Sequence, residues 1–317
     1  MKVLITGGAG FIGSHIVDRL IDEGHQVIVI DNLSRGSKEN LNPRAQFFQK
    51  DIRDKDIIHI FNKEKPEVVN HHAAQVNLRK SMEEPLYDAE VNILGSINLL
   101  QCCIKSGVKK FIYSSSGGAI YGEPEELPVK ENYEIKPISQ YGITKHTIEH
   151  YLYLYSISHQ LNYVILRYPN IYGPRQDPRG EAGVVAIFIK HMLQGEQPTI
   201  FGDGSKTRDY LYVSDVIEAN MLTIEEGYGE IYNLGWGKEV TDYQIFQTVR
   251  DAIGCSIQPI YGEKRKGEID RISLDSSKIK GELGWKPKVS LEEGVAMTVE
   301  YWRKKLNKQI SNQNNYG

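Results

Sequence analysis

A tyrosine and a lysine four positions apart are the residues in this sequence best suited to proton transfer. Tyr141 and Lys145 lie in the segment YGITK, which opens a stretch with helical spacing of apolar residues, so both project from one helix face. Free tyrosine has a pKa of about 10, too high for a base at neutral pH. A neighbouring ammonium group favours the phenolate and lowers that value. The pair therefore predicts a general base, although two unrelated residues on an amphipathic helix would give the same spacing.

A serine-rich segment stands upstream of this pair. Residues 111–113 are predicted to form a buried strand, and the segment SSSGGAIYG follows directly at 114–122. Residues at the carboxyl end of a parallel strand lie at the ligand-binding edge of the sheet. A serine hydroxyl there can hold a reacting oxygen beside Tyr141. This order of elements favours catalysis over a chance spacing.

The start of the chain has the pattern of a dinucleotide-binding unit. An apolar run at 3–5 precedes Gly7, Gly10 and Gly13, a helical period follows, and a second apolar run ends at Asp31. Glycines at this spacing permit a tight turn, close approach of the backbone to a pyrophosphate, and close packing of helix on strand. Asp31 is placed to accept hydrogen bonds from the hydroxyls of the adenosine ribose, and its charge repels a 2′-phosphate. The pattern predicts NAD as the cofactor, in preference to NADP. Its positive nicotinamide ring is expected to act together with Lys145 in lowering the pKa of Tyr141.

The elements that must position these residues alternate between strand and helix. Predicted strands lie within 45–54, 66–75, 111–113 and 163–167, with helices at 57–61, 87–106 and 141–155 between them. This order is typical of an α/β fold, a Rossmann-type doubly wound parallel sheet, here with a smaller C-terminal α/β substrate domain. The predicted NAD-binding domain is 1–167, with 216–238 returning to it, and the substrate domain is 168–215 and 239–306. A last helix at 291–305 precedes a polar tail, 307–317, that we expect to be disordered.

Strand ends in this order suggest further cofactor contacts. Asp51 and Ile52 follow the third strand and are expected near the adenine, while the small side chains of Ala73 and Ala74 leave room for the nicotinamide ribose. The neighbouring pair His71 and His72 suggests a metal, but adjacent strand residues face opposite sides of the sheet. We therefore predict no metal site.

Composition restricts the partners. The 317 residues are 40% hydrophobic and 25% charged with a formal net charge of −3, so we expect no nucleic-acid partner. The chain enters a strand at its second or third residue and has no apolar run approaching about 20 residues, so we expect no membrane contact and a cytoplasmic location. The three cysteines lack metal spacing and are expected to be reduced thiols.

Several motifs in one order resemble those of the extended short-chain dehydrogenase/reductase family. They are TGGAGFIG at 6–13, SSSGGAIYG at 114–122, YGITK at 141–145, RYPNIYGPRQ at 167–176 and FGDGSKTRDYLYVSD at 201–215. Within that family, the chain is similar to members that invert C4 of a UDP-hexose through a 4-keto intermediate, using transient hydride transfer to NAD. UDP-glucose and UDP-galactose are the sugars that the resemblance favours.

The resemblance assigns roles residue by residue. It implies that Tyr141 is the base, that Lys145 binds the nicotinamide ribose, and that Ser116 bridges the sugar 4-oxygen and Tyr141. Cofactor contacts are implied at the glycine turn and at the strand ends, namely Gly7, Gly10, Phe11, Ile12, Asp31, Asn32, Asp51, Ile52, Ala73, Ala74, Asn92, Tyr141, Lys145 and Tyr168. Substrate contacts are implied at Ser116, Asn170, Val185, Ile200, Arg208, Arg265 and Ile272, with the arginines suited to the diphosphate.

Three alternatives stay open at this point, and a fourth is disfavoured. An extra glycine after the serines makes Ser115 a second candidate for the catalytic serine. Ile272, or Ser273 beside it, is the position that governs sugar size, so a UDP-N-acetylhexosamine or a UDP-uronic acid is a possible substrate. A non-catalytic NAD-sensing protein could share this fold. Elimination of water is disfavoured, because residues 117–120 carry no acid. The family resemblance and the apolar helices at 91–106 and 141–155 suggest a homodimer.

Overall fold

A seven-stranded parallel sheet forms the centre of the protein. The computed structural model describes residues 1–179, 183–265 and 268–314, with side chains as far as 307. The strands are β1 (Lys2–Thr6), β2 (Gln26–Asp31), β3 (Gln46–Gln49), β4 (Val68–His71), β5 (Lys110–Ser116), β6 (Asn162–Tyr168), β7 (Asn170–Tyr172), β8 (Thr199–Phe201), β9 (Thr207–Arg208), β10 (Tyr210–Tyr212), β11 (Glu230–Asn233), β12 (Val240–Thr241) and β13 (Ile260–Gly262). The order in the central sheet is β11-β6-β5-β4-β1-β2-β3. This arrangement confirms the predicted doubly wound sheet.

Helices cover both faces of the sheet. They are α1 (Phe11–Asp22), α2 (Ile57–Glu64), α3 (Leu78–Glu83), α4 (Pro85–Ala89), α5 (Gly95–Ser106), α6 (Gly117–Ile120), α7 (Gln140–His159), α8 (Val184–Leu193), α9 (Val213–Glu225), α10 (Asp242–Ile253), α11 (Ser277–Leu283) and α12 (Leu291–Asn314). Alternate residues of β1 enter two separate cores: Val3 and Ile5 pack with Ile16 of α1, whereas Leu4 packs with Phe61 of α2. Burial on both faces explains the uninterrupted apolar runs that mark these strands.

The helix expected at 87–106 is interrupted by a turn of π-helix. Residues Glu90–Leu94 form this turn between α4 and α5. It places Asn92 inside the protein, where its amide nitrogen donates to the backbone carbonyl of Gln75, to Asp88 and to Thr144. π-Helical turns often accompany functional sites. Here the turn connects the end of β4 with the helix that carries Tyr141.

The later part of the chain builds smaller units beside the sheet. Strands β7 and β10, β8 and β13, and β9 and β12 form two-stranded pairs, while β11 joins the edge of the central sheet beside β6. The division into domains at 168, 215 and 239 stays a prediction. Helix α12 runs to Asn314, so the expected disorder of the tail is wrong for 307–314. None of the described helices has the length and apolar character needed to cross a bilayer.

Candidate active site

A cleft of about 950 Å³ lies along the carboxyl ends of the parallel strands. Such clefts are where doubly wound sheets bind their ligands. Its walls include the glycine turn after β1, the end of β2, the serines of β5 and the first turns of α7. Most of the predicted residues line it, namely Gly7, Gly10, Phe11, Ile12, Asp31, Asn32, Asp51, Ile52, Ala73, Ala74, Ser115, Ser116, Tyr141, Lys145, Tyr168, Asn170, Ile200, Arg208 and Arg265.

The glycine turn has the shape that a dinucleotide pyrophosphate requires. Gly7 has a φ of +71°, and a Cβ there would lie 2.7 Å from the backbone nitrogen of Ala73. A Cβ on Gly13 would overlap the carbonyl oxygen of Gly7. Helix α1 begins after Gly10 without a side-chain cap, so its first backbone N–H groups face the cleft without a capping oxygen. These groups and the positive end of the helix dipole suit phosphate oxygens, so the residues present fit NAD.

The far end of the cleft carries carboxylates. Asp31 accepts hydrogen bonds from the backbone N–H groups of Ala9 (3.0 Å) and Leu33 (2.7 Å), which fix its carboxylate at the end of β2. Burial raises the pKa of Asp31, and the two N–H groups oppose this shift. Asp51 is held by the guanidinium of Arg53, which lowers its pKa to about 2 despite partial burial. Two fixed carboxylates at this end disfavour a 2′-phosphate and favour ribose hydroxyls.

Tyr141 and Lys145 lie one turn apart on α7, as predicted. The Lys145 Nζ donates to the backbone carbonyl of Ser114 (2.6 Å) and lies 4.8 Å from the centre of the Tyr113 ring. Burial lowers the pKa of Lys145 to about 8, while the negative charges of Asp88 and Glu149 act in the opposite direction. Lys145 is therefore anchored to the strand that carries the serines.

Burial has the largest influence on the pKa of Tyr141. Burial raises the pKa of Tyr141 to about 12, a hydrogen bond with Ser116 opposes this, and the negative charge of Asp88 adds to it. Desolvation of the phenol is the largest effect in the structure without NAD. The lowering expected from Lys145 together with the positive nicotinamide ring concerns the NAD-bound site and stays a prediction.

The geometry separates the two candidate serines. Ser115 is buried and its hydroxyl donates to Glu149 Oε1 (2.6 Å). Glu149 also receives two hydrogen bonds from Arg167, to Oε1 (3.1 Å) and to Oε2 (2.6 Å). Ser116 is half-buried, lines the cleft and bonds to Tyr141. The structure thus places Ser116 beside the Tyr141 phenol, whereas the Ser115 hydroxyl donates to the buried ion pair of Glu149 and Arg167.

Cationic side chains collect at the opposite wall, where β8, β9 and the segment before residue 270 meet. Arg208 lies there on β9, and the Arg265 guanidinium lies 3.5 Å from the centre of the Phe201 ring. Lys206 Nζ lies 2.6 Å from Glu268 and 3.2 Å from Asp242. Three cations and two carboxylates leave an excess of positive charge, which suits a diphosphate.

In the described part of the chain, three predicted residues lie away from the cleft wall. Asn92 is buried behind it and bonds to Gln75, Asp88 and Thr144. Val185 points into the core, because α8 turns its neighbour Val184 towards the cleft instead. Ile272 is buried in a small cluster with Ile120 and Tyr121, and Ile269 takes the position at the cleft. These three residues lie outside the wall of this cleft, and their direct contact with a ligand stays a prediction.

Several residues of the cleft wall were not predicted from the sequence. They are charged or polar and come from distant segments, namely His72, Gln75, Arg175, Gln176, Asp177, Lys206, Asp242 and Glu268. Gln176 is buried, donates through Nε2 to the carbonyl of Ile171 (2.9 Å), and leaves its amide oxygen without a hydrogen-bond partner. Its place in the RYPNIYGPRQ motif was the signal that could have identified it. His71, which precedes His72, has a structural role: its ring nitrogens form hydrogen bonds with the hydroxyls of Thr6 (2.6 Å) and Ser96 (2.9 Å).

Known proteins share this architecture. The UDP-glucose 4-epimerase of Thermotoga maritima, solved with UDP-glucose, is 52% identical and superposes with a TM-score of 0.95, over 96% of this chain and 100% of that chain. The UDP-glucose 4-epimerase of Thermus thermophilus, solved with NAD, is 44% identical with a TM-score of 0.92, over 96% and 99% of the two chains. A UDP-glucose 4-epimerase of Mycolicibacterium smegmatis is 41% identical over 96% of this chain and 99% of its own length.

A family model matches the part of the chain that builds the cofactor side of the cleft. It describes the NAD dependent epimerase/dehydratase family and covers residues 3–235, from the first strand to the end of β11. The uncapped glycine turn, the carboxylate at the end of β2 and the tyrosine–lysine pair on α7 all lie within these residues. On this match and on the full-length similarities, the chain belongs to the NAD dependent epimerase/dehydratase family, and NAD is its cofactor.

Proposed function

We propose that this protein interconverts UDP-glucose and UDP-galactose by inverting C4 of the sugar. The observation that carries the proposal is that Ser116, Tyr141 and Lys145 open into one cleft with both the dinucleotide turn and the cationic wall at Lys206, Arg208 and Arg265. The relatives named above, which carry this activity in their names, support the same choice of sugar.

The residues divide the reaction among themselves. NAD, held by the glycine turn and Asp31, would supply a reversible hydride acceptor at C4, so the reaction would involve no net oxidation. Tyr141 removes the proton of the 4-hydroxyl, and Ser116 holds the 4-oxygen against the phenol. Lys145 fixes the position of helix α7, and so of Tyr141, relative to the end of β5 through its hydrogen bond to the carbonyl of Ser114. The cationic wall holds the diphosphate while the 4-keto sugar turns to present its other face.

The absence of an acid near the serine favours epimerisation over elimination. Residues 117–120 are Gly, Gly, Ala and Ile, and they form the short helix α6 beside Ser116. A Cβ on Gly117 would overlap the Leu274 side chain, so a larger residue does not fit there without movement. This wall therefore offers no group to protonate a leaving hydroxyl.

The test is turnover of UDP-galactose by the purified protein without added NAD, followed by NMR. We expect UDP-glucose to form, Tyr141→Phe to abolish its formation, and Tyr228→Phe, at an exposed tyrosine outside the cleft, to leave it intact. Conversion of only UDP-N-acetylglucosamine or UDP-glucuronate would overturn the choice of sugar. No conversion of any of the three, with NAD supplied, would favour an NAD-sensing protein.

We also propose that the protein is a cytoplasmic homodimer. On the π turn and on α7, five apolar side chains are about half exposed or more, namely Leu94, Ile143, Tyr153, Leu154 and Ile157. A patch of this kind suits a helical interface between two copies. Three free thiols, Cys102, Cys103 and Cys255, suit a reducing compartment. Light scattering should give twice the chain mass, and Ile157→Glu should reduce it to the chain mass.

A further inference from the structure

A short loop after β7 reaches across to the helix that begins at the cofactor turn. In this loop, residues 173–177, the Arg175 guanidinium donates to Asp18 Oδ2 (2.7 Å) and to Ser14 Oγ (3.1 Å). The carbonyl of Pro174 lies 3.0 Å from His15 Nε2. All three partners lie on α1, in the first two turns after Gly10. The 173–177 loop is thus attached to the helix whose N-terminus faces the cleft.

The second half of the 173–177 loop lies at the cofactor end of the cleft. Arg175 and Asp177 line the same cleft as Phe11 and Ile12. Arg35, in the loop after β2, lines the cleft as well: burial would raise the pKa of Asp177, but hydrogen bonds from Arg179 and the charge of Arg35 lower it. The loop therefore extends from the sugar side of the cleft towards the loop that follows β2.

The backbone of Arg175 is in an unfavourable conformation that its side chain helps to hold. Its φ is +68°, in the left-handed region that residues with a Cβ rarely adopt. Such conformations persist when surrounding contacts fix them, and they cluster at ligand clamps. Asp18 supplies the contact here, and its other carboxylate oxygen is fixed by the Asn42 amide (2.8 Å).

We propose that the ion pair between Arg175 and Asp18 is a latch that retains NAD. While the latch is closed, the 173–177 loop stays on α1 and obstructs the path of the pyrophosphate out of the cleft. Release of the cofactor requires the loop to leave α1, and therefore requires the Arg175–Asp18 pair to break. This inference rests on the cofactor alone and is independent of which sugar the protein converts.

The experiment measures NAD exchange in the holoenzyme without any sugar nucleotide. Purified protein loaded with ¹⁴C-NAD is mixed with excess unlabelled NAD, and the label that stays bound is followed with time. Asp18→Asn and Arg175→Gln each remove the latch. Asp22→Asn is the matched control, because Asp22 lies one turn further along α1 and pairs with Arg44 at an exposed position. Arg175→Gly removes the side chain and also the strained backbone, so it keeps the fold if Arg175→Gln does not.

We expect dissociation to accelerate about threefold to fivefold in Asp18→Asn, Arg175→Gln and Arg175→Gly, which is the effect of losing one partly exposed ion pair. The double variant Asp18→Asn/Arg175→Gln should dissociate no faster than either single variant, and Asp22→Asn should match the wild type. Unchanged dissociation in the single variants would overturn the latch. Multiplied effects in the double variant would overturn the pairing. Failure to convert UDP-galactose would leave this result untouched.

Discussion

The two adjacent serines at the end of β5 give opposite predictions when each is replaced by alanine. Ser115→Ala removes a donor from the buried carboxylate of Glu149 but changes nothing in the cleft beside Tyr141. Ser116→Ala removes the hydroxyl beside Tyr141 but leaves the buried hydrogen bond between Ser115 and Glu149 intact. We therefore expect the first variant to lose stability and keep activity, and the second to keep stability and lose activity.

The sizes of the two effects follow from the contacts. A hydrogen bond to a buried charged group contributes about 1.5 to 3 kcal/mol, and since both Arg167 bonds to Glu149 remain, we expect a loss near the lower end. Such a loss lowers Tm by about 2 to 6 °C in a chain of this size. Ser116 is half-buried, so its loss should change the free energy of unfolding by less than about 0.5 kcal/mol. Removing a group that holds the reacting oxygen should reduce kcat by about 10²- to 10³-fold.

The assay is paired. Thermal unfolding followed by circular dichroism gives Tm, and epimerisation of UDP-galactose gives kcat for the same preparations. The reasoning is refuted if Ser115→Ala loses kcat as severely as Ser116→Ala with Tm unchanged, because Ser115 would then be the serine that meets the substrate. Ser115→Thr, which retains the hydroxyl, serves as a control for the bond to Glu149.

Three further predictions concern the pH dependence of stability and the cofactor turn. Burial would raise the pKa of Glu149, but hydrogen bonds from His146, Arg167 and Ser115 lower it to about 2. Because the pKa is lower in the folded state than in the unfolded state, the ionised Glu149 stabilises the fold above pH ~4.5, and this stabilisation is lost as the pH falls towards 2. Urea unfolding of the wild type should lose up to about 3 kcal/mol across that range, and Glu149→Gln should lack this component. Gly13→Ala should lower the free energy of unfolding by more than about 2 kcal/mol and abolish NAD retention, because the added Cβ overlaps the Gly7 carbonyl. By contrast, Gly281 has open space in α11, so Gly281→Ala should raise the free energy of unfolding by about 0.5 to 1 kcal/mol in the same urea experiment. Asp31→Asn should weaken NAD binding about 10- to 100-fold in calorimetry and reduce discrimination against NADP. Equal affinity of the wild type and the variant for NAD would argue against the ribose contact.

The parts of the fold that were predictable are those with a local signal. The first βαβ unit combines a buried apolar run, a glycine turn and a helical period within residues 3–31, so its form is readable without any long-range contact. Tyr141 and Lys145 share a helix face because four positions are close to one turn. The π turn at 90–94 gave no such signal, because one extra residue in a helix leaves the apolar pattern nearly unchanged.

The parts that were not predictable depend on rotation of an element or on distant segments. Helix α8 is apolar on most sides, so its sequence could not show that Val184 faces the cleft and Val185 the core. Ile272 lies in an irregular segment, where a shift of three positions exchanges it for Ile269. Lys206 and Asp242 meet through the pairing of β9 with β12, which joins residues more than 30 positions apart. The direction of the Tyr141 shift depends on burial, which the spacing of two residues does not reveal.

The place of β11 at the edge of the sheet affects how the chain folds during synthesis. Six strands are available once β6 has left the ribosome, but β6 receives its outer neighbour only when β11 emerges about 60 residues later. At about 5 to 20 residues per second, the nascent chain presents an open row of backbone donors and acceptors for about 3 to 12 s. An uncovered edge of a buried strand is a template for pairing with another chain. The yield of soluble protein should therefore depend on chaperone supply and translation speed between residues 168 and 230 more than anywhere earlier in the chain.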